Sequence, residues 1–477
     1  MENLVAPDTA TLDKLKKVLG PYCWKSSDDA ARFYEDPRDR FTGQSALIAL
    51  PDSTEQVVEL VKICQAAKVG IVPYSGGTGV VAGQLSPDSD GLIILSLERM
   101  NKVREVSLED EILVAEAGCI LSDIHRAAED VGKIFPLSMA SQDSCRIGGN
   151  LATNAGGIQV LRYGNARDLC IGIEAVMADG SVLQELNPLR KNNTGYDLRH
   201  LLIGSEGTLG VITAASLKLM PKNPETITAF CAVSNPAAAV TLLHTVKGAL
   251  GDTVSGFELL CDFGMNLLAE HFPDDVVPFE QSYGWYVLIE ISGHAGIKDE
   301  LEETLAAGFE SELVLDAVVA QSDAQREALW RLRERTPEAN RLTGAICNSD
   351  TSVPISQINA FVAKSDAAIL AIYDGLRVNS YGHIGDGNIH LNVFSPAGTT
   401  KKDFLASHPE SREAVRMAIN EVTHDCGGTI SAEHGIGRLK TSDLEMYCLP
   451  RKFNAMKSIK AALDSNGIMN PGALFSD

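Results

Sequence analysis

The sequence predicts an α+β protein of at least two domains, the second built on an antiparallel sheet with helices. Three observations carry this. From about residue 45 to 221, strand-like and helix-like segments alternate, with dense glycine clusters at their junctions. A proline-rich break, PKNPET at 221–226, then interrupts the pattern. Beyond the break the elements resume in a different order, with long strands separated by helices rather than by glycine loops. A chain of 477 residues also exceeds what one small core accommodates.

The elements follow in order. STEQVVELVKICQAAK, 53–68, is a helix: Ser53 can cap it, Gln56 stands three residues on, and apolar residues recur at helical spacing. GIVPYSG is a short strand ending in glycines. LIILSLERMNKV and EILVAEAGCIL are strands about a turn, and LSDIHRAAEDVG is a helix. IGIEAVMADGSVLQEL and TLGVITAASLKLMP close the first domain as strands. Past the break, ITAFCAVSN and WYVLIEISG are strands and PAAAVTLLHTVKGALG is a helix. Residues 297–343 form a long charged helical region, followed by a helix at 356–376 and the strand IHLNVF. The C-terminal stretch holds a helix ending near Gly467 and a short tail. The expected domains are 1–221 and 222–425, with 426–477 as a C-terminal segment.

Bulk properties exclude some functions. A formal net charge of −22 disfavours nucleic acid and anionic membrane surfaces as partners, though local arginines could still hold a small anion. No run of eighteen apolar residues occurs, so no membrane span is expected. The N-terminal stretch MENLVAPDTATLDKLKK has neither the basic start and apolar core of a secretory signal nor the arginines of a transit peptide, which points to the cytoplasm. The ten cysteines are scattered without a CxxC pair, as in a reducing compartment.

Three glycine clusters stand out: PYSGGTGVVAG at 73–83, RIGGNLATNAGG at 146–157 and GSEGTLGVIT at 204–213. Each alone reads as a tight turn. Together, interleaved with Ser, Thr and Asn donors, they suit an extended phosphate-bearing cofactor approached closely by backbone N–H groups. The spacing in 77–83 is GxGxxxG, off the dinucleotide fingerprint, and no GxxxxGK[ST] occurs, so neither a nicotinamide-type Rossmann site nor a P-loop is supported.

In GHIGDGNIHLNV, 382–393, Gly385 to Asn388 read as a turn feeding a strand, and alternation puts His390 and Asn392 on one face. His383 could fold back toward His390, and with one carboxylate the two imidazoles would leave a divalent ion an open position. The alternative is that His383 packs in the turn and His390 is an ordinary sheet residue. Asp386, between glycines, reads as turn chemistry. Of the arginines in LWRLRER, 329–335, Arg331 and Arg335 suit a solvated helix face.

These stretches, together with KNNTGYDLRHLLIGSEGTLG and SAEHGIG, resemble the vanillyl-alcohol-oxidase-type FAD proteins. Within these they are most similar to the FAD-linked D-2-hydroxyacid dehydrogenases, both D-2-hydroxyglutarate and D-lactate dehydrogenases. The resemblance runs from about residue 40 to the C-terminus and implies a two-lobed FAD-binding domain, a cap domain with an antiparallel sheet, and a segment 426–477 returning to the first domain. It implies that FAD is held by Pro73, Ser75, Gly76, Gly77, Thr78, Gly79, Ser141, Gly148, Gly149, Asn150, Thr153 and Gly156, with Glu206, Gly207, Ile212 and Asn470 on other sides. Some relatives attach FAD through a histidine in the first glycine loop. This loop has none, so FAD should be non-covalent. Ala473 departs from the NPGK of many relatives.

The resemblance further implies His383, His390 and Glu433 as ligands of a divalent metal, zinc first, with Asn392 as a substrate donor, His434 as base and Arg333 as carboxylate clamp. The reaction implied is oxidation of a D-2-hydroxy acid: hydride passes to the flavin, and the hydroxyl proton to an imidazole, which titrates near neutrality. D-2-Hydroxyglutarate comes first, with D-lactate and D-malate close. NSDTSVP carries Asn348 where 2-hydroxyglutarate enzymes commonly carry a lysine. Electrons would leave to an electron-transfer flavoprotein or a quinone, and a homodimer is among the assemblies expected. An oxygen-using oxidase and a flavin subunit of a larger glycolate- or lactate-oxidising complex are the alternatives.

Overall fold

Val57, Leu60, Val61 and Cys64 recur along one face of the helix Thr54–Ala67 and are all buried, and the Ser53 hydroxyl accepts from the Gln56 N–H at its start. This helix packs into the core of the first of two units. The computed structural model describes residues 4–476 except 27–30, 37, 39, 41, 87–90 and 276. The first unit comprises Met1–Gly157, Gly164–Lys222 and Glu433–Asp477, and the second Ile158–Tyr163 with Asn223–Ala432.

The first unit holds a small sheet in which Leu47–Ala49, Ile93–Ser96 and Ile71–Tyr74 run parallel. It also holds a five-stranded antiparallel sheet ordered Val103–Ser107, Ile112–Glu116, Gly210–Lys218, Cys170–Met177, Val182–Glu185. The segment read as one strand from LIIL to NKV therefore splits. Ile93–Ser96 joins the parallel sheet, and Val103–Ser107 pairs with Ile112–Glu116. The C-terminal segment returns to this unit: Ile71 donates to Ile468 O at 2.7 Å, and Asn470 donates to Ile71 O at 2.8 Å.

The second unit has a four-stranded antiparallel sheet ordered Val254–Cys261, Trp285–Gly293, Glu225–Val233, Asp316–Val319. Asp316–Val319 lies inside the region read as continuous helix. This short β-branched run pairs with Ala229–Ala232, so the helices are confined to Ile297–Glu310, Asp323–Glu334 and Thr336–Thr343. A second sheet centres on Asn388–Phe394, flanked by Arg377–Tyr381 on one side and by Cys347–Asn348 and Thr351–Ser352 on the other. The two sheets meet where Leu259 and Gly382 exchange N–H···O bonds of 2.8 and 3.0 Å. The unit extends to Ala432, beyond the expected limit at 425, because Thr429 pairs with Ser352 across a β-bridge.

The stretch Ile355–Ile372 has the length and mean hydropathy, 1.2, of a membrane-crossing helix. It nevertheless carries Lys364 and Asp366 and buries Ile358, Phe361, Val362 and Ile369 in the core of the second unit.

Candidate active site

Every residue of Asn388–Phe394 is buried, and its pairing decides what shares a face with His390. Residues directly opposite in an antiparallel pair point the same way. Tyr381 stands opposite His390, and Asn379 and Asn348 stand opposite Asn392 from the two flanking strands. The Tyr381 and His390 rings lie 5.1 Å apart between centroids. Ahead of the strand, Asp386 N donates to His383 O, and Asn388 N donates to Asp386 Oδ1 at 3.1 Å, so Asp386 closes the turn. Burial pushes the Asp386 carboxyl up to about 6. The turn brings the His383 ring to 5.9 Å from His390, nearly perpendicular to it.

Behind these residues sits one the sequence reading did not single out. Glu258 belongs to Val254–Cys261, a strand buried at every position, and is itself fully buried. Its Oε1 lies 2.5 Å from His383 Nδ1, and its Oε2 accepts from Arg333 Nε at 2.6 Å. Burial alone would raise this carboxyl, but His383 and Arg333 outweigh it and hold its pKa at about 2. An ionised carboxylate only accepts, so His383 carries a proton on Nδ1, and in its neutral form the lone pair lies on Nε2. The Arg333 guanidinium lies over the Tyr381 ring, 4.9 Å from its centroid. Arg331 and Arg335, by contrast, are half exposed and pair with Asp275. The signal for Glu258 was a single carboxylate within the apolar run VSGFELLC.

Asp350 accepts from Asn388 Nδ2 at 3.2 Å and lies 3.9 Å from His390 Nδ1. Its carbonyl accepts from Ala432 N at 3.2 Å. Glu433 and His434 are the next two residues of the chain.

The His383–Glu258–Arg333 arrangement also sets a dependence on pH. The Glu258 carboxyl protonates near 4.5 in an unfolded chain but only near 2 when folded. Its contribution to stability is therefore complete above about pH 4.5 and is lost as pH falls toward 2. Thermal melts of wild type and Glu258→Gln should differ most above that window, with the gap narrowing as the pH drops through it.

In the first unit the glycine clusters come together. Gly149 N donates to Ser75 Oγ at 3.0 Å, and a Cβ on Gly76 would lie 2.5 Å from Ser144 O. Ser141 O accepts from Ser144 N and Cys145 N, and Thr153 Oγ1 donates to Gly149 O. A cavity of about 580 Å³ opens here, lined among others by Tyr74, Ser75, Gly76, Gly77, Ile120 and Arg146. Thr78 and Gly156 are half-buried and Gly79 is exposed. The third cluster joins through Pro73, since a Cβ on Gly207 would lie 2.9 Å from it. Ile212 is buried in Gly210–Lys218 opposite Ala175.

Two assigned residues do more than line a pocket. Glu206, half-buried and with its pKa raised by desolvation, accepts from the Ile436 and Gly437 N–H groups at 2.8 and 2.6 Å. Asn470 Nδ2 donates to Gly83 O and Glu206 O, and its Oδ1 accepts from Arg438. Both side chains thus fasten the stretch after His434 to the first and third glycine clusters.

A flavin dinucleotide fits this unit on an observation independent of the motifs. Asn150 is 5% exposed, and its Oδ1 has no hydrogen-bond partner among the described residues. A buried acceptor left so is costly unless a ligand donates to it. Gly76→Ala should test the cradle. Displacing the Ser144–Cys145 backbone costs about 1–3 kcal/mol, so FAD retention should fall about tenfold or more, read as the flavin-to-protein absorbance ratio after gel filtration.

The family described as FAD linked oxidases, C-terminal domain, matches residues 222–474, and that described as FAD binding domain matches 45–185. The chain is 38% identical over 452 residues to D-2-hydroxyglutarate dehydrogenase of Xanthomonas citri pv. viticola, covering 94% of this chain and 93% of that one. It is 36% identical over 434 residues to the mitochondrial D-2-hydroxyglutarate dehydrogenase of Arabidopsis thaliana, covering 91% and 75%. In fold it is similar to p-cresol methylhydroxylase with substrate bound, with a TM-score of 0.76 at 16% identity over 98% of this chain and 96% of that one. It is also similar to 4-ethylphenol oxidase from Gulosibacter chungangensis, with a TM-score of 0.75 at 20% identity over 99% of both. The chain, an FAD-dependent enzyme on the vanillyl-alcohol-oxidase-type fold, therefore belongs to the FAD-linked D-2-hydroxyacid dehydrogenases.

Proposed function

We propose that this enzyme oxidises D-2-hydroxyglutarate, with D-lactate and D-malate as lesser substrates, to the 2-oxo acid with the help of a divalent cation, zinc first. The observation that carries this reading is the buried Glu258 carboxylate between His383 and Arg333. It presents a metal-type imidazole, with its basic nitrogen at Nε2, beside a guanidinium suited to a carboxylate. Bound FAD supplies the hydride acceptor. His383 and His390, with Glu433 as third ligand, would hold the cation, which makes a developing alkoxide less costly.

The chain's own residues do the rest. Arg333 binds the C1 carboxylate and Asn392 donates to the substrate. His434 takes the hydroxyl proton on its imidazole nitrogen as the C2 hydride leaves. Reduced enzyme then passes electrons to an electron-transfer flavoprotein or a quinone.

Anaerobic mixing with D- and L-2-hydroxy acids, with and without a chelator, tests this directly. Loss of oxidised-flavin absorbance with D-2-hydroxyglutarate, abolished by the chelator, is the expected result. Bleaching indifferent to the chelator removes the metal, and bleaching by L-isomers alone removes the stereochemical assignment.

Asn348 bears on the choice of acid, since its Cα pairs with that of Asn392 in the sheet. An amide there holds a second carboxylate less well than an ammonium group would. Asn348→Lys should therefore improve kcat/KM for D-2-hydroxyglutarate about tenfold relative to D-lactate, the equivalent of one charged hydrogen bond. An unchanged ratio removes residue 348 from substrate selection.

A further inference from the structure

We propose that Glu258 is a positioning residue that holds a metal-binding imidazole and a carboxylate-binding guanidinium on one buried carboxylate, so that cation affinity and hydroxy-acid affinity both depend on it. The inference deepens the reading above and rests on the roles given there to His383 and Arg333.

A carboxylate inside an apolar strand is unfavourable unless it is paired and hydrogen-bonded. Glu258 satisfies this with one oxygen for each partner, 2.5 Å to His383 Nδ1 and 2.6 Å to Arg333 Nε. The partners come from separate elements, 125 and 75 residues away in sequence. Arg333 lies in the last turn of Asp323–Glu334, and His383 follows Arg377–Tyr381 by two residues. Their meeting is fixed by backbone. The double hydrogen bond between Leu259 and Gly382 locks residues 258 and 383 side by side. Gly382 has φ 151° and no room for a side chain, since a Cβ would lie 2.3 Å from Asn388 O.

Two consequences follow from one carboxylate. Its demand for a donor keeps the His383 proton on Nδ1 and aims the basic Nε2 away from it, toward a cation. Its hold on Nε fixes the plane of Arg333, which also stacks on Tyr381. A side chain with this much rotamer freedom then loses less entropy when it takes up a carboxylate. A merely structural carboxylate, present to neutralise Arg333, would change the melting temperature and leave the affinities of the folded protein alone.

The test uses the FAD-loaded full chain as wild type, Glu258→Gln, Glu258→Asp and His390→Ala. Co²⁺ affinity is measured by competition with a chelating dye. Acid affinity is measured from the concentration dependence of anaerobic flavin reduction by D-2-hydroxyglutarate in excess Co²⁺. Glu258→Gln should bind Co²⁺ about 10–100-fold more weakly, and the apparent Kd for the acid should rise about tenfold, the equivalent of ~1.4 kcal/mol. Glu258→Asp, which keeps the charge but is one methylene shorter, should fall between. If the glutamine variant does not fold, the aspartate variant decides alone. Affinities for Co²⁺ and acid within about twofold of wild type in a folded, FAD-loaded variant would overturn the inference, whatever the melting temperature. Loss of Co²⁺ binding in His390→Ala but not in the Glu258 variants would overturn it while sparing the metal site. A wild type that takes up no Co²⁺ overturns the metal assignment, and this inference with it.

Discussion

Replacing His434 by glutamine should lower the limiting rate of flavin reduction by about 10²–10⁴-fold, the usual contribution of a positioned general base, while FAD stays bound. The loop that carries His434 is held by other groups. The Glu206 carboxylate accepts from Ile436 and Gly437, Arg438 N donates to Val81 O at 3.0 Å, and Leu474 N donates to Gly437 O at 2.9 Å. None of these bonds involves the side chain of residue 434, so unchanged FAD content and an unchanged melting temperature in the variant are expected and would mark the loss as one of chemistry. The apparent Kd for the acid should change only a few-fold, because Arg333 and Asn392 are untouched. Without a base on the enzyme, hydroxide must take the proton, so the residual rate should climb about tenfold per pH unit. A variant that reduces its flavin within about threefold of wild type at neutral pH would remove His434 from the reaction.

The same loop shows what could be read from the sequence and what could not. The glycine clusters were legible because a dense run of glycines is itself a local signal of close backbone approach, although what approaches is distant in sequence: a side chain at Gly76 or Gly149 would strike Ser144 or Ser75. The Asp386 turn was legible for the same reason, since its hydrogen bonds close within a few residues. Glu206 was assigned to FAD from its motif, and its carboxylate also accepts from backbone 230 residues away, a further contact that no local pattern encodes. Glu258 was missed likewise. Its strand reads as an ordinary buried run, and its importance comes from the Leu259–Gly382 pairing that joins two sheets. Asp316–Val319 was hidden because four residues in charged surroundings become a strand only when the edge beside Ala229–Ala232 is there to receive them. In each case the missing information was tertiary.

The two histidines of the second unit should behave alike in catalysis and differently in folding. Alanine at either His383 or His390 removes a proposed cation ligand. If the cation stabilises the developing alkoxide by about 3–4 kcal/mol, each substitution should lower kcat by roughly 10²–10³-fold and make the remainder insensitive to chelators. Stability should separate them. His383→Ala strips Glu258 of one of two partners, leaving a fully buried ionised oxygen with only Arg333 to balance the carboxylate. Such an orphaned charge costs about 1–3 kcal/mol or more. His390→Ala leaves that pair intact, and Asp350 beside it keeps the Asn388 amide donor. The His383 variant should therefore melt several degrees below the His390 variant at neutral pH. Because the penalty requires an ionised Glu258, and losing His383 removes a main cause of its low pKa, the difference should shrink as acid protonates that carboxyl in the His383 variant first. Two variants with equal rate losses and equal melting curves would keep the imidazoles in the reaction but disconnect His383 from Glu258. Equal stabilities with a rate loss at only one position would instead dissolve the proposed ligand pair.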